Sequence, residues 1–172
     1  MLIAAILLAL GTVLARQSSG GGSFGVNTAG GPGTLASAVM PDFTLSLVDG
    51  ATLKASDLEG RPAVLNFWAS WCVPCQEEAP LFARMAREYE AENVAFLGIS
   101  EWDTESDLRA FLARYGVGYK NGVDLGGKTA IEFGVTGIPE TFFVRADGSL
   151  ASRWIGPLDE DQLRKLVREI QT

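Results

Sequence analysis

A mixed α/β sheet with helices on both faces is the fold class this sequence predicts. Three observations carry it. Ala63-Val64-Leu65-Asn66-Phe67-Trp68 and Val94-Ala95-Phe96-Leu97-Gly98-Ile99 are short, nearly continuous apolar runs, as in central strands covered on both sides. Each is followed by a stretch of helical period. The chain then closes on a hairpin and a helix, so the order is βαβα followed by ββα.

Taken in order, residues 1–15, MLIAAILLALGTVLA, are uncharged and apolar, and Arg16 follows them. As a helix the run would be ~22 Å long, short of a ~30 Å hydrocarbon core. It also lacks the basic start of a secretory signal. Residues 1–16 are therefore expected to be a membrane anchor, with a cleaved signal as the alternative. Residues 17–40 hold seven glycines and four serines without period, and are expected to be a flexible linker spanning ~27 Å. Residues 41–172 carry every acidic residue and all basic residues except Arg16, and form the expected domain.

Within that domain PDFTLSLV and ATLK flank Asp49-Gly50, a favoured hairpin turn, which predicts an N-terminal β-hairpin extension. After the first buried strand, residues 74–90 carry Leu81, Phe82, Met85 and Tyr89 on one helical stripe. After the second, Leu108, Phe111, Leu112 and Tyr115 repeat at i, i+3, i+4, i+7. Thr141 to Val144, Ala146-Asp147-Gly148 and Leu150 to Ile155 read as an antiparallel hairpin. Leu163, Leu166, Val167 and Ile170 mark a closing helix.

The formal net charge is −7 and there is no histidine. An acidic chain without a basic cluster is a poor nucleic-acid ligand. Without imidazole there is no Ser-His or Cys-His pair and no His-containing zinc site. Proton transfer near neutral pH falls to a carboxylate, a thiol or water.

The two cysteines, Cys72 and Cys75, are separated by two residues. So short a loop gains little stability on closure, which makes a structural clip a poor reading. Cys72 instead stands where a buried strand gives way to a helix. Free N–H groups and the positive dipole end there favour a thiolate. A thiol of pKa ~8.5 is only ~3% thiolate at pH 7; at pKa ~7 it is ~50%. Cys75, at i+3, shares its helical face and is placed to resolve a mixed disulfide formed at Cys72. Pro74 suits the first helical turn. Trp71 reads either as a shield and contact surface for the thiolate or as a core aromatic.

Having Trp71-Cys72-Val73-Pro74-Cys75 after Val64-Leu65-Asn66-Phe67-Trp68-Ala69-Ser70, the sequence resembles the thioredoxin-like superfamily. Pro41-Asp42-Phe43-Thr44-Leu45, Asn121-Gly122-Val123-Asp124 and Gly134-Val135-Thr136-Gly137-Ile138-Pro139-Glu140-Thr141-Phe142-Phe143 narrow the likeness. The chain resembles the membrane-tethered reductases of bacterial cytochrome c maturation, the TlpA/ResA/CcmG (DsbE) group, over about residues 40–172. The resemblance implies a cis Pro139 facing the disulfide, and an Ile138 backbone that pairs with an extended partner segment. Glu101, at a strand end, and Glu140, beside Pro139, are candidates to carry the proton of Cys75. Thioredoxins proper have a buried aspartate where Asn66 stands here, and an amide cannot titrate.

The expected function is therefore a thiol–disulfide oxidoreductase facing the periplasm or extracellular side. It would act as a reductant of apocytochrome c cysteines, with Cys72–Cys75 as its redox-active disulfide and no cofactor or metal. A general reductase of exported protein disulfides and a redox-inert binding module are the alternatives. A membrane thiol carrier as electron donor is implied by the resemblance. A monomer is expected.

Overall fold

The structure is a computed structural model that describes residues 25–172. The expected anchor, residues 1–16, and the linker up to residue 24 lie outside the described residues. Strand β5 (Ala63–Trp68) is central and buried along its whole length. It pairs in parallel with β6 (Ala95–Glu101), with Trp68 opposite Ser100, and antiparallel with β9 (Glu140–Val144), with Phe67 opposite Glu140. Successive residues point to opposite faces. Leu65 and Phe67 thus enter one core with Leu97, Leu108, Phe111, Phe133 and Phe142. Val64 enters a second core with Phe82, Met85, Phe96, Phe143, Leu163 and Val167.

Four helices among the described residues cover these faces: α1 (Val73–Glu90), α2 (Glu105–Tyr115), α3 (Lys128–Phe133) and α4 (Glu160–Ile170). Helix α1 buries Phe82, Met85 and Tyr89, each worth ~1.5–3 kcal/mol in apolar burial. Helix α2 starts on the Thr104 hydroxyl and stops at Gly116 in the left-handed region, φ 64°. Helix α4 opens with a capping box between Asp159 and Gln162.

The sheet has eight strands in the order β2-β10-β9-β5-β6-β7-β3-β4. The hairpin of β3 (Thr44–Leu47) and β4 (Thr52–Lys54) forms one edge, its turn carried by Gly50 at φ 88°. It joins the sheet through β7 (Lys120–Asp124), a strand that its composition does not announce. The Asn121 side chain holds β7 down, accepting from Trp68 Nε1 at 3.2 Å across the space above Gly98. A Cβ on Gly98 would lie 1.7 Å from Asn121 Oδ1, so only glycine fits there.

The linker expectation needs correcting for residues 25–40. They run along the other end of the sheet. Strand β2 (Gly31–Gly33) pairs antiparallel with β10 (Leu150–Ile155), and β1 (Gly25–Val26) pairs in parallel with β8 (Gly137–Ile138). The physical reason is that ladder bonds use only backbone, so a Gly-rich segment without side-chain period can still add a strand. Arg153 Nη1 also donates to Thr34 O at 3.1 Å. The folded unit thus begins before residue 41. Among the described residues no helix is long and apolar enough to cross a membrane.

Candidate active site

Strand β5 delivers the chain into a loop, Ala69–Trp71, whose shape is held by Asp103. Its carboxylate accepts from Ser70 N (2.8 Å), Ser70 Oγ (2.7 Å) and Ser100 Oγ (2.5 Å). Gln76 Nε2 donates to Ser70 O at 2.8 Å from the first turn of α1. Cys72 is then the N-cap of α1, with extended backbone angles, and its Sγ accepts the Cys75 N–H at 3.3 Å. Cys72 and Cys75 form a disulfide with Cα atoms 5.2 Å apart. When that bond is reduced, the same N–H and the helix dipole favour the thiolate of Cys72. Pro74 occupies the first turn. Trp71 is 49% exposed and Val73 59%, so Trp71 is a contact surface rather than a core aromatic. Both sulfurs are nonetheless enclosed in the disulfide form, Cys72 having no exposed surface.

The Ile138–Pro139 peptide bond is cis. Continuing the Phe67–Glu140 register backwards sets Pro139 and Ile138 opposite Trp68 and Ala69, where the cysteine loop departs. Ile138 is fully buried and shares a core with Cys72 and Cys75.

The two glutamates singled out from the sequence have other partners. Glu140 spends its Oε1 on Thr136 N (3.0 Å), Thr136 Oγ1 (2.8 Å) and Gly137 N (3.1 Å). Its Oε2 binds Arg153 Nη2 at 2.6 Å and Nε at 2.8 Å, a buried ion pair. As a proton carrier for Cys75 it is corrected by this geometry: the carboxylate clamps the turn before Pro139. Glu101 stands opposite Asp124 across β6 and β7, both buried. Burial first, then the Asp124 charge and a hydrogen bond to it, push Glu101 up to about 9. As an acid it donates to Asp124, whose oxygens also accept from Thr129 Oγ1 and Ala130 N.

A third carboxyl, passed over in the sequence, is better placed. Glu78 lies three residues behind Cys75 on α1 and is buried. It accepts from Asn66 Nδ2 at 3.1 Å and from Leu158 N at 3.2 Å, and Asn66 also donates to Thr141 Oγ1. Burial outweighs these bonds and raises Glu78 to about 8. Asn66 therefore holds the titrating group instead of being it. The signal was available: the stripe Phe82, Met85, Tyr89 runs back through Glu78 to Cys75 at i+3 and i+4 spacing.

These two raised carboxyls fix a pH dependence. The folded state keeps a proton on Glu78 up to about 8, while the unfolded chain loses it near the ordinary value of 4.5. The native state then binds more protons, so stability falls as pH rises across that window, by up to about 1.4 kcal/mol per unit for one such group. Urea midpoints are expected to drop between pH 5 and 8, and Glu78→Gln to flatten the drop. An Asn66 amide flip supplies the acceptor its new NH₂ needs. Parallel slopes for the variant and the parent would contradict the assignment.

Known proteins were compared with this chain. The AhpC/TSA family matches residues 36–153. The thiol-disulfide oxidoreductase ResA of Bacillus anthracis is 28% identical over 130 residues, covering 76% of this chain and 75% of that protein. The thiol:disulfide interchange protein DsbE of Pseudomonas fluorescens biotype C is 35% identical over 123 residues, 70% of this chain and 67% of that one. A solved structure of a secreted Mycobacterium tuberculosis disulfide oxidoreductase, homologous to E. coli DsbE, superposes with a TM-score of 0.67 at 30% identity, covering 73% of this chain and 94% of that one.

Proposed function

Because this chain belongs to the AhpC/TSA family of thioredoxin-like proteins and is a thiol–disulfide oxidoreductase, we propose that it is an extracytoplasmic reductant of protein disulfides, acting on the haem-attachment cysteines of apocytochrome c. The Cys72 thiolate attacks one sulfur of the partner's disulfide, and the other partner sulfur leaves as a thiolate. The Cys75 thiolate then attacks Cys72 Sγ, forming the Cys72–Cys75 disulfide and releasing the second partner sulfur. Two electrons pass from this chain to the partner, and the released thiolates take up protons. Glu78 lies one helical turn behind Cys75 and is the acid–base group of this step, since a carboxyl raised to about 8 exchanges protons near neutral pH. Trp71, Ile138 and Pro139 form the partner's seat. Residues 1–16 anchor the domain, and a membrane thiol carrier restores the dithiol.

Glu78 is the observation that supports the reducing direction. Once ionised it sets a negative charge behind the cysteine pair, and the chain has no histidine to oppose it. A strong oxidant needs its reduced form stabilised, and a neighbouring carboxylate does the reverse. Equilibration with a thiol redox buffer is expected to give a potential near the thioredoxin value of about −270 mV; one near −120 mV would reverse the direction. Reduction of a Cys-x-x-Cys-His peptide disulfide is expected to outpace that of an unrelated peptide disulfide. Equal rates would leave a general reductase of exported proteins.

A further inference from the structure

Residues 25–27 lie on the backbone edge that an incoming chain would need. Pro139 has no N–H, and the ladder to β5 is taken up only from Glu140 onward. Ile138 therefore presents its backbone outward beside the loop that carries Cys72. Such an edge binds extended peptides through main-chain bonds. Here it is occupied: Val26 pairs with Ile138 in parallel, Asn27 N donates to Ile138 O at 2.6 Å, and Asn27 Nδ2 donates to Pro139 O at 3.2 Å.

The fit is built into both strands. A Cβ on Gly137 would lie 2.6 Å from Gly25 O and 2.9 Å from Asn27 Oδ1. A Cβ on Gly156 would lie 2.2 Å from Ala29 O. Neither site tolerates a side chain with the N-terminal segment in place. The segment is held unevenly. Residues 31–33 are laddered to β10, and Thr34 O is bonded by Arg153. Residues 25–27 form only a two-residue pairing with β8.

We propose that residues 25–27 are an internal strap on the peptide-binding edge of Ile138, which a partner's extended segment must displace before its disulfide reaches Cys72. The inference rests on the reading of this chain as a reductase of protein disulfides. A resident strap lowers apparent partner affinity by the fraction of molecules in which it is lifted. Its foot, at residues 31–34, stays in the sheet while its tip exchanges. The chain is thereby tuned for partners that present a backbone as well as a disulfide.

The test compares second-order rates of the reduced full chain with two disulfides: a ten-residue Cys-x-x-Cys-His peptide and 2-hydroxyethyl disulfide, which has no backbone. Asn27→Pro deletes both Asn27 bonds, and its peptide rate is expected to rise about tenfold while the small disulfide changes less than twofold. Gly137→Ala, which evicts Gly25 from the other side, is a second route to the same release should Asn27→Pro fold poorly. A peptide rate equal to or below that of the parent overturns the strap, as does a matching rise with both disulfides. Inertness of every form toward both disulfides would instead count against the reductase reading.

Discussion

Cys72→Ser is expected to abolish disulfide reduction, by at least on the order of a thousandfold, while Cys75→Ser is expected to accumulate a stable mixed disulfide with its partner. The two sulfurs sit in one helical turn but in different electrostatic positions. Cys72 caps α1 and receives the Cys75 N–H at 3.3 Å, and its neighbours Trp71 and Val73 are exposed. Cys75 lies inside the turn, ahead of Glu78. A serine at position 72 keeps the cap but cannot carry a thiolate. A serine at position 75 leaves the first attack intact and removes the second, so the partner stays attached through Cys72. Non-reducing electrophoresis and mass spectrometry of the trapped species measure this directly. Release from Cys75→Ser as fast as from the parent chain would remove Cys75 from the resolving role. Alkylation of the reduced protein against pH adds a second check. Cys72 should react at a pH well below the ~8.5 midpoint of a free thiol.

What the sequence made legible follows from where the information is local. Ala63 to Trp68 reads as a central strand because both faces of β5 are covered and nearly every residue is apolar. Cys72, Pro74 and Cys75 are legible because thiolate chemistry and helix capping both act within one turn. β7 was hidden because Lys120-Asn121-Gly122-Val123-Asp124 has one apolar residue. It becomes a strand only through β6, β3 and the Asn121 side chain lying over Gly98. β1 and β2 were hidden for a related cause, since Gly25-Val26 and Gly31-Pro32-Gly33 pair through backbone alone. Glu78 was passed over because Gln76-Glu77-Glu78 reads as a solvated helix start. Its burial depends on Asn66 and Leu158, 12 and 80 residues away. Glu140 was noticed for its place beside Pro139, yet its work is set by Arg153 on the next strand.

That pair carries the largest expected stability effect. Glu140→Ala leaves Arg153 buried without its partner and also strips the acceptor from Thr136 N and Gly137 N. Removing one member of a buried ion pair costs about 3–5 kcal/mol, a large share of the 5–15 kcal/mol that holds an ordinary domain. At roughly 3 °C per kcal/mol for a domain of this size, the melting temperature is expected to fall by about 12 °C. Glu140→Gln separates the two causes. Its carbonyl oxygen still serves the Thr136–Gly137 turn, while its NH₂ faces the guanidinium and loses only the ionic part. A glutamine variant as unstable as the alanine one would place the whole effect on Arg153. An alanine variant within about 1 kcal/mol of the parent would show that solvent reaches Arg153 and that the clamp is weak. The consequence for activity runs through position. Glu140 and Arg153 together hold Thr136, Gly137 and, through Thr34 O, the foot of the N-terminal segment. Peptide reduction is then expected to fall with the clamp even at temperatures where the glutamine variant is fully folded, because the edge at Ile138 is no longer held against the cysteine loop.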